Sequence, residues 1–253
     1  MKNEIEYSIF SWDPEILSSV YLEDYYDIIN DLKIRKIYQN IDGLSHSKVE
    51  ETIKSLKDNT NADVYSLTGD PTWYSSSKNV ISILDNINNY NMYVNKKHQI
   101  NGIVLDIEPW SLYKDWDREV YIKTIEDIYS YAKSVNIKII NIIPTWLDIK
   151  DIETIVKNSD EIAVMNYNIS SPIENIKEEI DISKRYNKEI NVIAETQAEN
   201  KKYGVDKNTT YYYLGKDRLD KDWESIIDTY KYKRISFSYH DLNNIINFLE
   251  GDE

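Results

Sequence analysis

Asp106 and Glu108 stand two residues apart at the end of an apolar run, Ile100-Asn101-Gly102-Ile103-Val104-Leu105-Asp106-Ile107-Glu108-Pro109-Trp110. Side chains alternate along a strand, so Gly102, Val104, Asp106 and Glu108 share one face and Ile103, Leu105 and Ile107 the other. Two carboxyls on one buried face repel each other and resist ionisation. A carboxyl still protonated near neutral pH is what the general acid of glycoside hydrolysis must be. Glu108 is therefore the candidate proton donor, and Asp106 the neighbour that raises its pKa. The bland alternative is a structural ion pair with a lysine or arginine.

Other strand-like runs end in comparable groups. In Ala163-Val164-Met165-Asn166-Tyr167-Asn168, Met165 and Tyr167 share a face. The Tyr167 hydroxyl is thereby placed to stabilise an acetamido group or an oxocarbenium ion, and Asn166 is a candidate substrate contact. In Val192-Ile193-Ala194-Glu195-Thr196-Gln197, Glu195 and Gln197 share a face and are candidate substrate-binding residues. The run Ser236 to Asp241 brings His240 to the same rim, as a substrate contact or as a hydrogen-bonded structural residue. Asp13, with Gln39, Asn40 and Asp70, completes a polar ring. His46 and His98 read as surface residues.

The elements that must position these groups are legible as an alternation. Candidate strands are Tyr7–Ser11, Lys36–Gln39, Asp63–Leu67, Gly102–Ile107, Lys138–Ile143, Glu161–Tyr167, Ile190–Ala194 and Arg234–Tyr239. Helical periodicity lies between them, as in Ser47–Lys57, Asn79–Tyr90, Arg118–Val135, Asp148–Asn158, Ile173–Tyr186 and Asp222–Tyr230. Eight strands alternating with helices predict a parallel sheet closed into a single-domain (β/α)8 TIM barrel spanning residues 1–253. An open doubly wound sheet is the alternative, weakened because no glycine-rich phosphate loop follows the first strand. All five prolines, Pro14, Pro71, Pro109, Pro144 and Pro172, fall just after candidate strands, as do Trp12, Trp73, Trp110 and Trp146. In a barrel these loops form the catalytic face. An indole there is either an apolar plate for a sugar ring or a plug in the barrel top.

Composition narrows the partners. The formal net charge is -14, which disfavours nucleic acid and anionic membranes and leaves a neutral or cationic substrate. With no cysteine, disulfides and thiolate metal sites are excluded. Met1 to Glu6 hold no apolar leader-like run, and no apolar stretch is long enough to cross a membrane. Oligomeric state is not readable. No cofactor is required by the chemistry outlined.

Together these residues resemble the family 18 glycoside hydrolases, the chitinase-like barrels, whose strand-four motif is Asp-Gly-x-Asp-x-Asp-x-Glu. The matching stretch here is Asn101-Gly102-Ile103-Val104-Leu105-Asp106-Ile107-Glu108. The final Asp and Glu are kept, while Asn101 and Val104 replace the first two acids. Met165-Asn166-Tyr167 matches the Met-x-Tyr of the family's sixth strand. The resemblance implies a glycosidase in which Glu108 is the acid and Asp106 orients a substrate acetamide that attacks the anomeric carbon. The glycan it implies is an oligosaccharide or polysaccharide containing N-acetylhexosamine. The chain also resembles a loosely characterised group of glycosidase-like barrels, through Met165-Asn166-Tyr167, Glu195-Thr196 and His240-Asp241. Three alternatives stay open: a retaining glycosidase with Glu108 as acid/base and Glu195 as nucleophile, a barrel that binds carbohydrate without cleaving it, and a metal-dependent enzyme using Asp106, Glu108, Glu195 and His240.

Overall fold

The computed structural model describes residues 5–251. Residues 1–4 and 252–253, which fall within the expected domain span and partly within the stretch read for a leader, lie outside the described residues. Eight parallel strands close into a barrel in sequence order. They are β1 Tyr7–Ser11, β2 Ile34–Asn40, β3 Asp63–Thr68, β4 Gly102–Leu105, β5 Lys138–Pro144, β6 Glu161–Met165, β7 Glu189–Glu195 and β8 Ile235–His240. The helices are α1 Leu22–Asp31, α2 His46–Asn59, α3 Lys78–Tyr93, α4 Arg118–Ser134, α5 Ile149–Lys157, α6 Lys177–Tyr186, α7 Lys216–Tyr230 and α8 Leu242–Glu250. The chain is thus a single-domain (β/α)8 TIM barrel. Among the described residues no helix is long and apolar enough to cross a membrane.

Alternation along the strands sorts the side chains into two cores. Outward residues such as Ile103, Leu105, Ile107, Ile139 and Val164 pack against the helices. Inward residues Phe10, Tyr38, Tyr65, Leu67, Val104, Ile140, Ala163 and Ile193 fill the barrel axis. Below this apolar layer the interior is polar. Lys36 Nζ lies 2.7 Å from Glu161 Oε2 and 2.9 Å from Glu6 Oε1, while Asn191 Nδ2 donates to Ser8 Oγ at 2.7 Å and to Ser236 Oγ at 2.9 Å. A buried carboxylate needs such partners, so the barrel floor is sealed by a paired network. The functional groups are left at the opposite, C-terminal end.

Strand and helix ends differ from the sequence reading in ways that matter for the site. The β4 and β6 ladders stop at Leu105 and Met165, short of the expected Ile107 and Tyr167. Pairing nevertheless persists for one more residue: Asp106 N donates to Thr68 O (2.9 Å) and Asn166 N to Ile193 O (3.1 Å). Asp106 and Tyr167 therefore keep the inward parity of their strands. The helix α7 starts six residues before the expected Asp222. Its first turns are nearly all polar, held by ion pairs Lys216–Asp220 and Arg218–Asp222 at helical spacing and not by an apolar stripe.

Candidate active site

Close packing fixes the end of β4. Gly69, just after β3, faces the Asp106 backbone so tightly that a Cβ there would stand 2.0 Å from the Asp106 carbonyl oxygen. Only glycine lets the two strand ends approach this far. Pro109 then opens a short 3-10 turn, Pro109–Ser111, with Glu108 as its N-cap residue. Ser111 donates to the Glu108 carbonyl through both its backbone N–H (3.0 Å) and its hydroxyl (2.8 Å). The Glu108 backbone is thus pinned while its side chain opens inward.

Asp106 and Glu108 both line a cavity of about 530 Å³ at the C-terminal mouth of the barrel, together with Trp12, Tyr167, Glu195, Gln197 and His240. Among the described residues neither Asp106 nor Glu108 is in an ion pair, and no lysine or arginine lines the cavity. Asp106 Oδ1 is buried with no hydrogen-bond partner. Burial, and then the charge of Glu108, push the Asp106 pKa up to about 7, against a smaller opposing influence of His240. Burial also raises Glu108, while the hydrogen bond from Trp110 Nε1 (3.3 Å) and, when the ring is protonated, the charge of His240 pull it back. Like-charge repulsion in the pair therefore falls chiefly on Asp106, whereas the sequence reading had Asp106 raising Glu108. Asp106 thus keeps its proton up to about pH 7 beside a Glu108 that burial also holds above its usual range.

Glu195 is the opposite case. Its Oε1 accepts the backbone N–H groups of Thr196 and Gln197, each at 2.9 Å. Its Oε2 accepts Gln197 Nε2 at 3.2 Å and faces His240 Nδ1 at 3.0 Å. Burial pushes its pKa up, but the His240 hydrogen bond, the charge of His240 when that ring is protonated, and the Gln197 donors outweigh it and hold the carboxyl below its usual range. His240 and Glu195 are direct cross-strand partners of β8 and β7. On its other side His240 Nε2 accepts the Trp12 indole N–H at 3.0 Å. Tyr167 lies against this imidazole, ring centroids 6.2 Å apart, and burial with the neighbouring carboxylates raises its phenol pKa.

Several other sequence-predicted residues stand elsewhere. Trp12 is the one indole that lines the cavity; Trp73, Trp110 and Trp146 do not. Trp110 sits in an edge-to-face aromatic cluster with Trp146 (5.1 Å), Trp116 (5.7 Å) and Tyr121 (6.3 Å), and its indole N–H reaches the site at Glu108. Trp73 packs on the outer core, and Trp146 is 54 % exposed. Asp13 caps its own loop through Glu15 N (2.9 Å). Asn166 braces the loop after β6, donating to Pro172 O and accepting from Asn175 Nδ2, both at 2.8 Å. It thereby supports Tyr167 without lining the cavity. His98 faces Asp58 at 3.0 Å and His46 lies against Tyr90, both away from the barrel mouth. Among the described residues no group of three or more acids or histidines is arranged to hold a metal ion.

The segment 196–215 between β7 and α7 also supplies cavity wall that sequence reasoning missed: Tyr203, Val205 and Thr209. It is tied to the end of β7 by Thr210 Oγ1 to Gln197 O (2.7 Å) and Tyr211 N to Glu195 O (2.9 Å). The available signal was its length, since a long loop on the catalytic face of a barrel tends to be functional.

No family model and no curated protein matches the chain. Solved structures do. The catalytic domain of β-amylase from Paenibacillus polymyxa superposes with a TM-score of 0.59 at 9% identity, covering 98% of this chain and 95% of that one. An active-site mutant of Rhizomucor miehei β-1,3-glucanosyltransferase, solved with laminaritriose, gives 0.55 at 12% identity, covering 93% and 86%. A C-terminal domain assigned as a chitinase from Desulfitobacterium hafniense gives 0.50 at 16% identity, covering 77% and 67%. At these identities the likeness is one of fold: the barrel is that of chitinases and other glycosidases.

Proposed function

We propose that the protein is a glycoside hydrolase acting on a neutral glycan that contains N-acetylhexosamine. The observation that carries this reading is the Asp106–Glu108 pair, two carboxyls without cationic partners among the described residues that line the open cavity at the barrel mouth. Glu108 gives its proton to the glycosidic oxygen as the C–O bond breaks. Asp106 orients the acetamide, whose oxygen attacks the anomeric carbon, and water then opens the cyclic intermediate as Glu108 takes a proton back. Tyr167 stabilises the charge that develops at the acetamide. The absence of lysine and arginine from the cavity lining agrees with a substrate lacking carboxylate or sulfate groups.

A nucleophilic role for Glu195 is the weaker reading, because both of its oxygens already accept two hydrogen bonds each within the protein. The test is a panel of N-acetylated and non-acetylated oligosaccharides with product analysis. Cleavage confined to the N-acetylated members, with retention of anomeric configuration, is the expected result. Cleavage of plain glucans at equal rates would exclude acetamide participation.

A further inference from the structure

We propose that Glu195 and His240 are positioning residues that act through one chain of hydrogen bonds to hold Trp12 as the plate on which the reacting sugar stacks. This deepens the glycosidase reading and rests on it. Glu195 leads to His240 Nδ1 at 3.0 Å, and His240 Nε2 leads to the Trp12 indole N–H at 3.0 Å. An indole nitrogen can only donate, so His240 Nε2 must offer its lone pair and the ring proton must sit on Nδ1. Only an acceptor at Glu195 selects that tautomer, and the backbone N–H groups of Thr196 and Gln197 keep Glu195 ionised and in place. Phe10 meets the same imidazole edge to face, centroids 5.4 Å apart. The arrangement has the base and orienting acid of a nucleophilic triad, but an indole stands where a nucleophile would. What it delivers is a fixed aromatic face in the same cavity as Asp106 and Glu108.

The discriminating variant is Glu195→Gln. The two backbone donors hold its amide oxygen at the Oε1 position, which turns the amide N–H₂ toward His240 Nδ1. The ring proton must then move to Nε2, where it opposes the indole N–H and the Trp12 link is lost. Indole and imidazole ¹H–¹⁵N resonances, with Trp12→Phe assigning the indole, read this in the free protein without any turnover. Glu195 raises the imidazole pKa against burial, so the spectra are recorded above that titration, where the expected result is a neutral Nδ1–H His240 and a hydrogen-bonded Trp12 indole in the native protein, both altered in Glu195→Gln. Affinity for an N-acetylchitooligosaccharide should fall at least tenfold, with kcat reduced less than tenfold. In a Trp12→Phe background, which keeps a plate but lacks the N–H, Glu195→Gln should cost no further affinity. An Nε2–H tautomer in the native protein, an indole unmoved by Glu195→Gln, or a thousandfold fall in kcat at unchanged KM would overturn the proposal. Failure of the glycosidase reading looks different: resonances that respond as expected in a protein that cleaves no glycan.

Discussion

Glu108→Gln lowers kcat for an N-acetylated oligosaccharide by at least about a thousandfold, within the range that one general acid supplies, while KM changes little. The amide fills the same space and can still accept the Trp110 indole N–H, so the pinned backbone around Pro109 and Ser111 stays as it is. What is lost is the proton. The loss therefore depends on the leaving group: a glycosyl fluoride, whose departure needs little protonation, should be hydrolysed by the variant at a rate much closer to that of the native protein. Steady-state kinetics on the two substrates check this. Equal losses on both would mean that Glu108 does something other than donate a proton. Full activity would remove it from the chemistry.

Asp106→Asn should abolish turnover and also stabilise the protein at alkaline pH. The sign follows from the titration. Asp106 has a folded-state pKa of about 7 against roughly 3.9 in an unfolded chain, so the folded state binds its proton more tightly. Native stability from this group is fully present below about pH 4, declines as pH rises, and is lost once the pH passes about 7. A shift of about three pKa units corresponds to at most about 4 kcal/mol. Asparagine carries no such penalty, so the variant should gain on the native protein from pH 5 to pH 8 by several degrees in Tm. Thermal unfolding at both pH values measures it. A Tm difference independent of pH would show that Asp106 is an ordinary ionised carboxylate. The predicted pH-dependent gain would instead mark Asp106 as a group that costs stability and is retained for catalysis.

The barrel was legible because period-two and helical patterns alternate eight times, and the inward parity of Asp106, Glu108, Tyr167 and Glu195 follows directly from that count. The site was readable residue by residue but not as a set of distances. Nothing in a linear pattern shows that Glu195 stands opposite His240, since that depends on the β7–β8 register. Nor does it show that Trp12 donates to His240 across the closure of the barrel. The tryptophans illustrate the limit best. Trp12, Trp73, Trp110 and Trp146 all follow strands, yet Trp110 and Trp146 pack on each other, Trp73 packs on the outer core, and of the four Trp12 lines the cavity. Position after a strand fixes the end of the barrel where an aromatic stands; loop packing decides which way it faces. Glu195 shows the same for charge. A buried acid at a strand end reads like Glu108 until the Thr196 and Gln197 N–H groups that keep it ionised are seen.

The central claim is that Asp106 and Glu108 hold one proton between them at neutral pH, in a cavity open to substrate. Carboxyl ¹³C shifts of the two residues, followed from pH 3 to pH 9 with Asp106→Asn and Glu108→Gln as assignment controls, measure it directly. The account predicts two linked steps, one of them near pH 7, and collapse of that upper step when either partner is replaced. Two independent titrations, both complete below pH 5, would contradict it.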